Sequence, residues 1–302
     1  MFPSKEMNRL KSFLKTSPLG RWVLMIPRYR FANAYFKSKR RMIGPWLKSS
    51  HELVNLTYSL SPENQRYAAQ YLSLITGRPA SEAAGYIQEL LNDPEIPAHV
   101  ARQVAQSSER FVSDEEVRYG RRVLYYALAR LIKPKVIVEA GVDKGLAMVC
   151  FSRALARNAE EGFPGKVIGI DIESKAGYLV KPPFDAHSEF VLSDSVEAVR
   201  AITEPIDIFI HETIVSHESE HARLLETRLS EYGFIFSAWN TGAFREFAER
   251  TGRNYLVFAE ELKDHWYQGG HLATVFRLPV RQTDSDLANV ATQRAPESSL
   301  SS

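Results

Sequence analysis

At 302 residues, 44% hydrophobic and 25% charged, the chain has the make-up of a soluble globular protein that can bury one large core and a smaller second unit. Its single cysteine, Cys150, excludes an internal disulfide framework and a cysteine-rich zinc site; its apolar helical setting reads as a buried structural thiol, which suits a reducing cytoplasm. The formal net charge of +2 hides an asymmetry, because residues 1–50 hold 12 Lys and Arg against the single acid Glu6, which leaves 26 basic and 35 acidic residues for the rest.

Residues 1–50 mix these cations with Phe13, Trp22, Met25, Ile26, Tyr29, Phe31, Tyr35, Phe36, Trp46 and Leu47, and Pro18, Pro27 and Pro45 divide them into short pieces. No apolar run approaches the roughly 20 residues that cross a bilayer, and Trp22–Ile26 is too short for a signal-peptide core. The segment is expected to be an arm packed on its own or a neighbouring subunit in a homo-oligomer, or an anchor to a membrane surface on a cytoplasmic, peripheral protein. Nucleic-acid contact through Lys37, Lys39, Arg40 and Arg41 has no recognised motif beside it and is disfavoured.

Residues 51–116 form a helical N-terminal region, with helical spacing in 65–72 and 80–91 and helix-start signals at Ser61-Pro62-Glu63 and Ser81-Glu82. A further helix over 117–132 stops before Lys133-Pro134. From there strands over 135–139, 166–171, 188–192, 206–211 and 233–237 alternate with helices over 145–158, 195–203, 216–230 and 242–251. That order predicts an α/β fold of the Rossmann-like, doubly wound kind, with a mostly parallel sheet. Segments 254–259 and 271–276 have no helix between them and read as an antiparallel C-terminal pair, making seven strands. The domain is placed at 117–279, and the polar, Ser-rich tail 280–302 is expected to be disordered.

The chemistry concentrates where apolar strands end. Val136-Ile137-Val138-Glu139-Ala140-Gly141-Val142-Asp143-Lys144-Gly145 runs from a strand through an acid and two glycines into a helix, and Val167-Ile168-Gly169-Ile170-Asp171 ends the next strand on a carboxylate. Gly141 permits positive φ or close approach of a ligand, Gly145 lets the helix start pack near the strand, and Glu139 can accept from an amino group or hydroxyl. The spacing departs from the Gly-x-Gly-x-x-Gly fingerprint that cradles a pyrophosphate, and Asp143 makes the loop acidic, which suits a cationic ligand without phosphates. Asp171 is placed to accept the hydroxyls of a ribose.

These segments resemble the class I S-adenosylmethionine-dependent methyltransferases. The resemblance covers about 117–278: Glu139–Gly145 is similar to the family's first motif, Gly169-Ile170-Asp171 to its second, Ser193-Asp194-Ser195 to the position beside the adenine, and Pro205–Ile210 to its fourth strand. It implies S-adenosylmethionine as cofactor, held by Glu139, Gly141, Asp143, Gly145, Asp171, Asp194 and Ser195. Within the family, 176–181 and 263–267 look like a bacterial subgroup that methylates oxygen on small molecules or saccharides. The end of the fourth strand faces the donor methyl in this family, so His211 or Glu212 is the expected base for an acceptor hydroxyl.

Two departures shape the expectations. The turns His211–His217 and Phe236–Asn240 lack most of the carboxylates of metal-dependent relatives, so Glu212 and Asn240 make a thin oxygen site and no metal is expected. His217 and His221, four apart with Glu212 nearby, could instead bind zinc or simply start a helix. The alternatives to methyl transfer are a non-catalytic scaffold with a degenerate fold and an NAD(P)-dependent oxidoreductase. His265, Trp266 and Tyr267 either line the acceptor pocket or pack at the sheet edge.

Overall fold

The computed structural model describes residues 12–13, 22–52, 57–238 and 242–278. Asn240 and the tail 280–302 lie outside the described residues. The chain divides into two interleaved units. One takes its residues from Met1–Asn64, Pro94–Gly120 and Glu260–Gly270; the other takes them from Gln65–Asp93, Arg121–Ala259 and His271–Ser302.

The larger unit is built on a seven-stranded sheet. Its strands are β1 (Val136–Ala140), β2 (Lys166–Asp171), β3 (Ser188–Leu192), β4 (Ile206–His211), β5 (Leu229–Ser237), β6 (Asn254–Ala259) and β7 (His271–Phe276), ordered β3-β2-β1-β4-β5-β7-β6. The first five are parallel and β7 runs antiparallel between β5 and β6. The central strands read as continuous apolar runs because helices cover both faces; every residue of β1 is buried. The edge strand β3 exposes much of itself.

Six of the seven strands begin and end where the apolar runs do, or within one residue of them. β5 is the exception, starting at Leu229 rather than 233. A register irregularity between Ile206 and Ile208 lets Leu229 pair with Ile206, so a polar stretch that sequence patterning assigns to a helix joins the ladder. The preceding helix, α8 (Glu218–Arg228), therefore ends early.

The remaining helices of this unit are α3 (Ala80–Leu91), α5 (Arg122–Ile132), α6 (Leu146–Glu160), α7 (Ser195–Ala201) and α9 (Ala243–Thr251). α5 is buried from Val123 to Leu131 because it is sandwiched between α3 and α6. It stops at Lys133, which adopts a left-handed conformation just before Pro134. Arg130, almost fully buried on α5, bonds Glu89 at 2.9 Å, Glu161 at 2.6 Å and Asn158. Below the β4–β5 side of the sheet, Phe209, Leu225, Ile235, Phe244 and Phe247 form the middle of one continuous core. Cys150 is buried in α6, where desolvation pushes its thiol up to about 12, as expected of a structural cysteine.

The smaller unit carries α1 (Met25–Ser49) and α4 (Glu95–Gln106). The helix α2 (Pro62–Thr76) starts within it and continues into the larger unit. Trp46 of α1 meets Trp266 edge-on with ring centroids 5.4 Å apart, Lys39 donates to the His265 carbonyl at 3.3 Å, and Asp114 accepts from Ser50 Oγ at 2.7 Å. His265 and Trp266 therefore pack on the arm, an arrangement neither of the two sequence-based alternatives contained.

Candidate active site

The carboxyl ends of β1, β2 and β4 meet at one edge of the larger unit, the place where open parallel sheets bind ligands. The turn after β1 is stitched to both neighbours: Gly141 N–H donates to the Ile170 carbonyl at 2.9 Å and Glu212 N–H to the Ala140 carbonyl at 2.9 Å. Gly141 has φ of 89°, and a Cβ there would lie 2.7 Å from the Glu212 carbonyl oxygen. Only glycine fits that crossing. Asp143 takes a left-handed conformation with φ of 48°, which acidic residues tolerate better than most.

Gly145 precedes α6 with φ of 95°. Its close neighbours belong to the segment after β2: a Cβ there would meet Val180 Cγ2 at 2.9 Å and Gly177 Cα at 3.1 Å. That segment folds over the turn, with Gly177 N–H donating to the Asp143 carbonyl and Leu179 N–H to the Lys144 carbonyl. Tight packing at Gly145 is thus against this flap of 177–180, not against a strand.

Asp171 organises the turn from β2. Its Oδ2 accepts from Val142 N–H at 2.9 Å and Asp143 N–H at 3.1 Å, and its Oδ1 accepts from Glu173 N–H at 2.9 Å. A carboxylate offers about four acceptor positions, so these three bonds leave roughly one for a ligand hydroxyl, not the two expected. Asp194 caps α7, accepting from Val196 N–H at 2.9 Å and Glu197 N–H at 3.2 Å, and Ser195 Oγ lies 3.1 Å from His217 Nδ1.

The two expected base candidates part company. His211 has no exposed surface; its Nδ1 lies 3.0 Å from His221 Nδ1, and its ring meets Phe244 edge-on. Burial first, and then His221 and His217, push His211 down to about 3, and burial pushes His221 down to about 4. His211 therefore faces the helical layer under the sheet, where hydrophobic surroundings hold it neutral, and the expectation that it faces the reacting centre is corrected on that geometry. Glu212, one residue on, points the other way. It accepts from Tyr125 Oη at 2.7 Å and pairs with Arg121 at 3.4 Å, with its side chain 25% exposed.

Glu139 is buried in β1, and its Oε2 has no hydrogen-bond partner. Burial, and then Glu212, raise its pKa well above the carboxylate range, with Asp143 and Asp171 adding to the rise against Arg122. Tyr125, Arg121 and Arg122 are site residues that sequence reasoning passed over. A signal was available, because two arginines at the start of a helix oppose its dipole and need a compensating acid.

Among the described residues no group of three or more His, Cys, Asp or Glu side chains could hold a metal ion. The zinc arrangement of His217, His221 and Glu212 is not formed, since His221 turns to His211 and Glu212 to Tyr125. What does gather at the strand ends is a carboxylate set, Glu139, Asp143, Asp171 and Glu212, one member with an orphaned buried oxygen, around a turn that excludes a Cβ at Gly141. This set fits a cationic ligand such as a sulfonium amino acid joined to a nucleoside, and disfavours a pyrophosphate.

Residues 138–237, spanning β1 to the end of β5, match the methyltransferase domain family. The match covers about a third of the chain and spans the turn after β1 and the ends of β2 and β4. The strand order, with an antiparallel β7 inserted before β6, is that of the class I methyltransferase fold. No curated protein matches the chain. Among solved structures, the O-methyltransferase from Bacillus cereus in complex with SAH is 12% identical over 71% of this chain and 99% of its own, with a TM-score of 0.47. The O-methyltransferase TomG from Streptomyces achromogenes, in complex with SAM, is 16% identical over 61% and 91%, with a TM-score of 0.46. A methyltransferase from Geobacter sulfurreducens is 18% identical over 65% and 98%, with a TM-score of 0.43.

Proposed function

We propose that the methyltransferase domain transfers a methyl group from S-adenosylmethionine to an oxygen of a small molecule or saccharide. The observation that carries the reading is the turn Gly141–Gly145, closed by Asp171 and by the Glu212 backbone, within the matched methyltransferase domain. When bound, the cofactor supplies a methyl group already activated on a sulfonium. The protein's part is then to align the two reactants and to take one proton.

In this reading Gly141 lets the ligand reach the backbone, and Asp171 both shapes the turn and accepts from one ribose hydroxyl. Asp194 and Ser195 border the adenine, and Glu139 and Asp143 favour the positive end of the cofactor. Glu212 takes the acceptor's hydroxyl proton, because it is the partly exposed carboxylate at the end of β4 and Tyr125 and Arg121 fix its direction. His211 supports that strand end from below as a positioning residue.

Calorimetric titration with S-adenosylmethionine tests the reading. Micromolar binding that Asp171→Ala weakens at least about tenfold is expected. Glu212→Gln is expected to keep binding within a few-fold while lowering turnover of an oxygen acceptor by about 100-fold or more. No binding to the unmodified protein would overturn the assignment and favour a non-catalytic module. Undiminished turnover in Glu212→Gln would remove the proposed base.

A further inference from the structure

The helix α1 exposes a row of apolar side chains. Met25, Tyr29, Ile43 and Leu47 are all exposed, and their spacing of 4, 14 and 4 residues puts them within about 40° of one another around the helix axis. Arg40 stands exposed about 20° from the row's edge, Arg30, Lys37, Arg41 and Lys48 stand exposed farther round on that flank, and Arg28 on the other. Among its seven Lys and Arg residues the helix contains no Asp or Glu. The side about 60–80° round the axis from the middle of the row, where Arg28 also lies, holds the helix to its own unit, through Trp46 on Trp266 and Lys39 on the His265 carbonyl. Tyr29 is 71% exposed, and Phe31, outside the row, 84%.

An apolar row between cationic flanks is what a helix lying in a lipid headgroup layer needs: the row enters the acyl boundary and the flanks meet anionic phosphates. Pairing with a second copy through the same row would bring two wholly basic helices side by side, with no acid on either to offset the repulsion. We infer that α1 docks the protein on an anionic membrane surface, the row from Met25 to Leu47 facing the bilayer. The helix lies on the membrane and does not span it; no described helix is long and apolar enough to cross one. The inference is independent of the methyl-transfer reading.

The test is co-flotation of the full chain with phosphatidylcholine vesicles and with vesicles containing one quarter phosphatidylglycerol. The expected result is at least tenfold tighter binding to the anionic vesicles, falling steeply between 0.1 and 1 M salt as the Debye length contracts from about 10 to about 3 Å. Two double variants separate the contributions: Tyr29→Glu with Leu47→Glu for the row, and Lys37→Glu with Arg41→Glu for the flank. Each is expected to lose at least tenfold in binding, since one cation near an acidic surface is worth roughly fivefold, while keeping the thermal unfolding curve of the parent. Equal binding to both vesicle types, or none, overturns the inference. So does loss in the flank variant alone, which leaves a plain electrostatic patch that a nucleic acid could equally fill. A row variant that converts a dimer to a monomer on gel filtration without changing vesicle binding assigns the row to a second copy, and also overturns it.

Discussion

Glu139 and the His211–His221 pair are buried titratable groups, the first acting on ligand affinity and the second on stability. Glu139 is raised by burial and by Glu212, Asp143 and Asp171, so it holds a proton where ordinary carboxylates have lost theirs. A bound cation favours the ionised form, and affinity for S-adenosylmethionine should therefore rise with pH until the free protein's Glu139 has ionised. Titration in buffers of different ionisation enthalpy should show proton release on binding, abolished in Glu139→Gln; equal release in that variant would place the proton elsewhere. The two imidazoles act on stability. Their folded values, about 3 and about 4, lie below the unfolded value near 6.5, so the unfolded chain binds more protons as pH falls. Their contribution is fully present above pH 6.5 and is lost as pH falls toward those folded values. At pH 5 the loss is about 2 kcal/mol per imidazole. Thermal unfolding from pH 7.5 to 5 should show this slope, and a His211→Asn, His221→Asn double variant should flatten it.

At the scale of elements, the turn after β1 was the most legible part of the chain. Gly141, Asp143 and Asp171 were picked out by sequence, and all three meet in the structure. What their spacing did not reveal is that Asp171 spends most of its acceptors on this turn, because backbone N–H donors are invisible in a residue string. Gly141→Ala should lose at least about 1 kcal/mol from left-handed backbone strain, and more from its clash with the Glu212 carbonyl, lowering Tm by about 2–4 °C or more. A variant with parental Tm would show that the crossing relaxes freely. By periodicity Arg130 is one more residue of a helix. Its bonds reach residues 28 to 41 positions away, which no periodicity predicts. Arg130→Ala should cost about 2–4 kcal/mol by chemical denaturation, discounted because Glu161 is partly exposed; Arg130→Met should cost less.

For the whole molecule, the parallel sheet was legible because buried strands read as short apolar runs punctuated by turns, and those from 166 to 211 match observed strands end for end. The base candidates show the limit. His211 and Glu212 are neighbours in sequence, but successive strand residues point to opposite faces, and only the surrounding helices decide which face is the pocket. Each of the two units gathers segments far apart in sequence, a grouping that a residue string does not display. Deletion of residues 1–50 would remove Trp46 and Ser50, which pack within the smaller unit, so point variants of α1 are the cleaner probe of its role.

That interleaving bears on how the protein comes into being. After Gly120, the smaller unit lacks Glu260–Gly270, including the Glu260 carboxylate that accepts from Tyr58 Oη at 2.5 Å, until the long segment between them has been synthesised. At about 5–20 residues per second, the ribosome needs roughly 7–28 s to travel from Gly120 to Glu260. For that interval the basic, aromatic N-terminal segments wait without their last partner. Segments of the smaller unit that are made early thus find their last partner late, and chaperones can meet them before their own fold does.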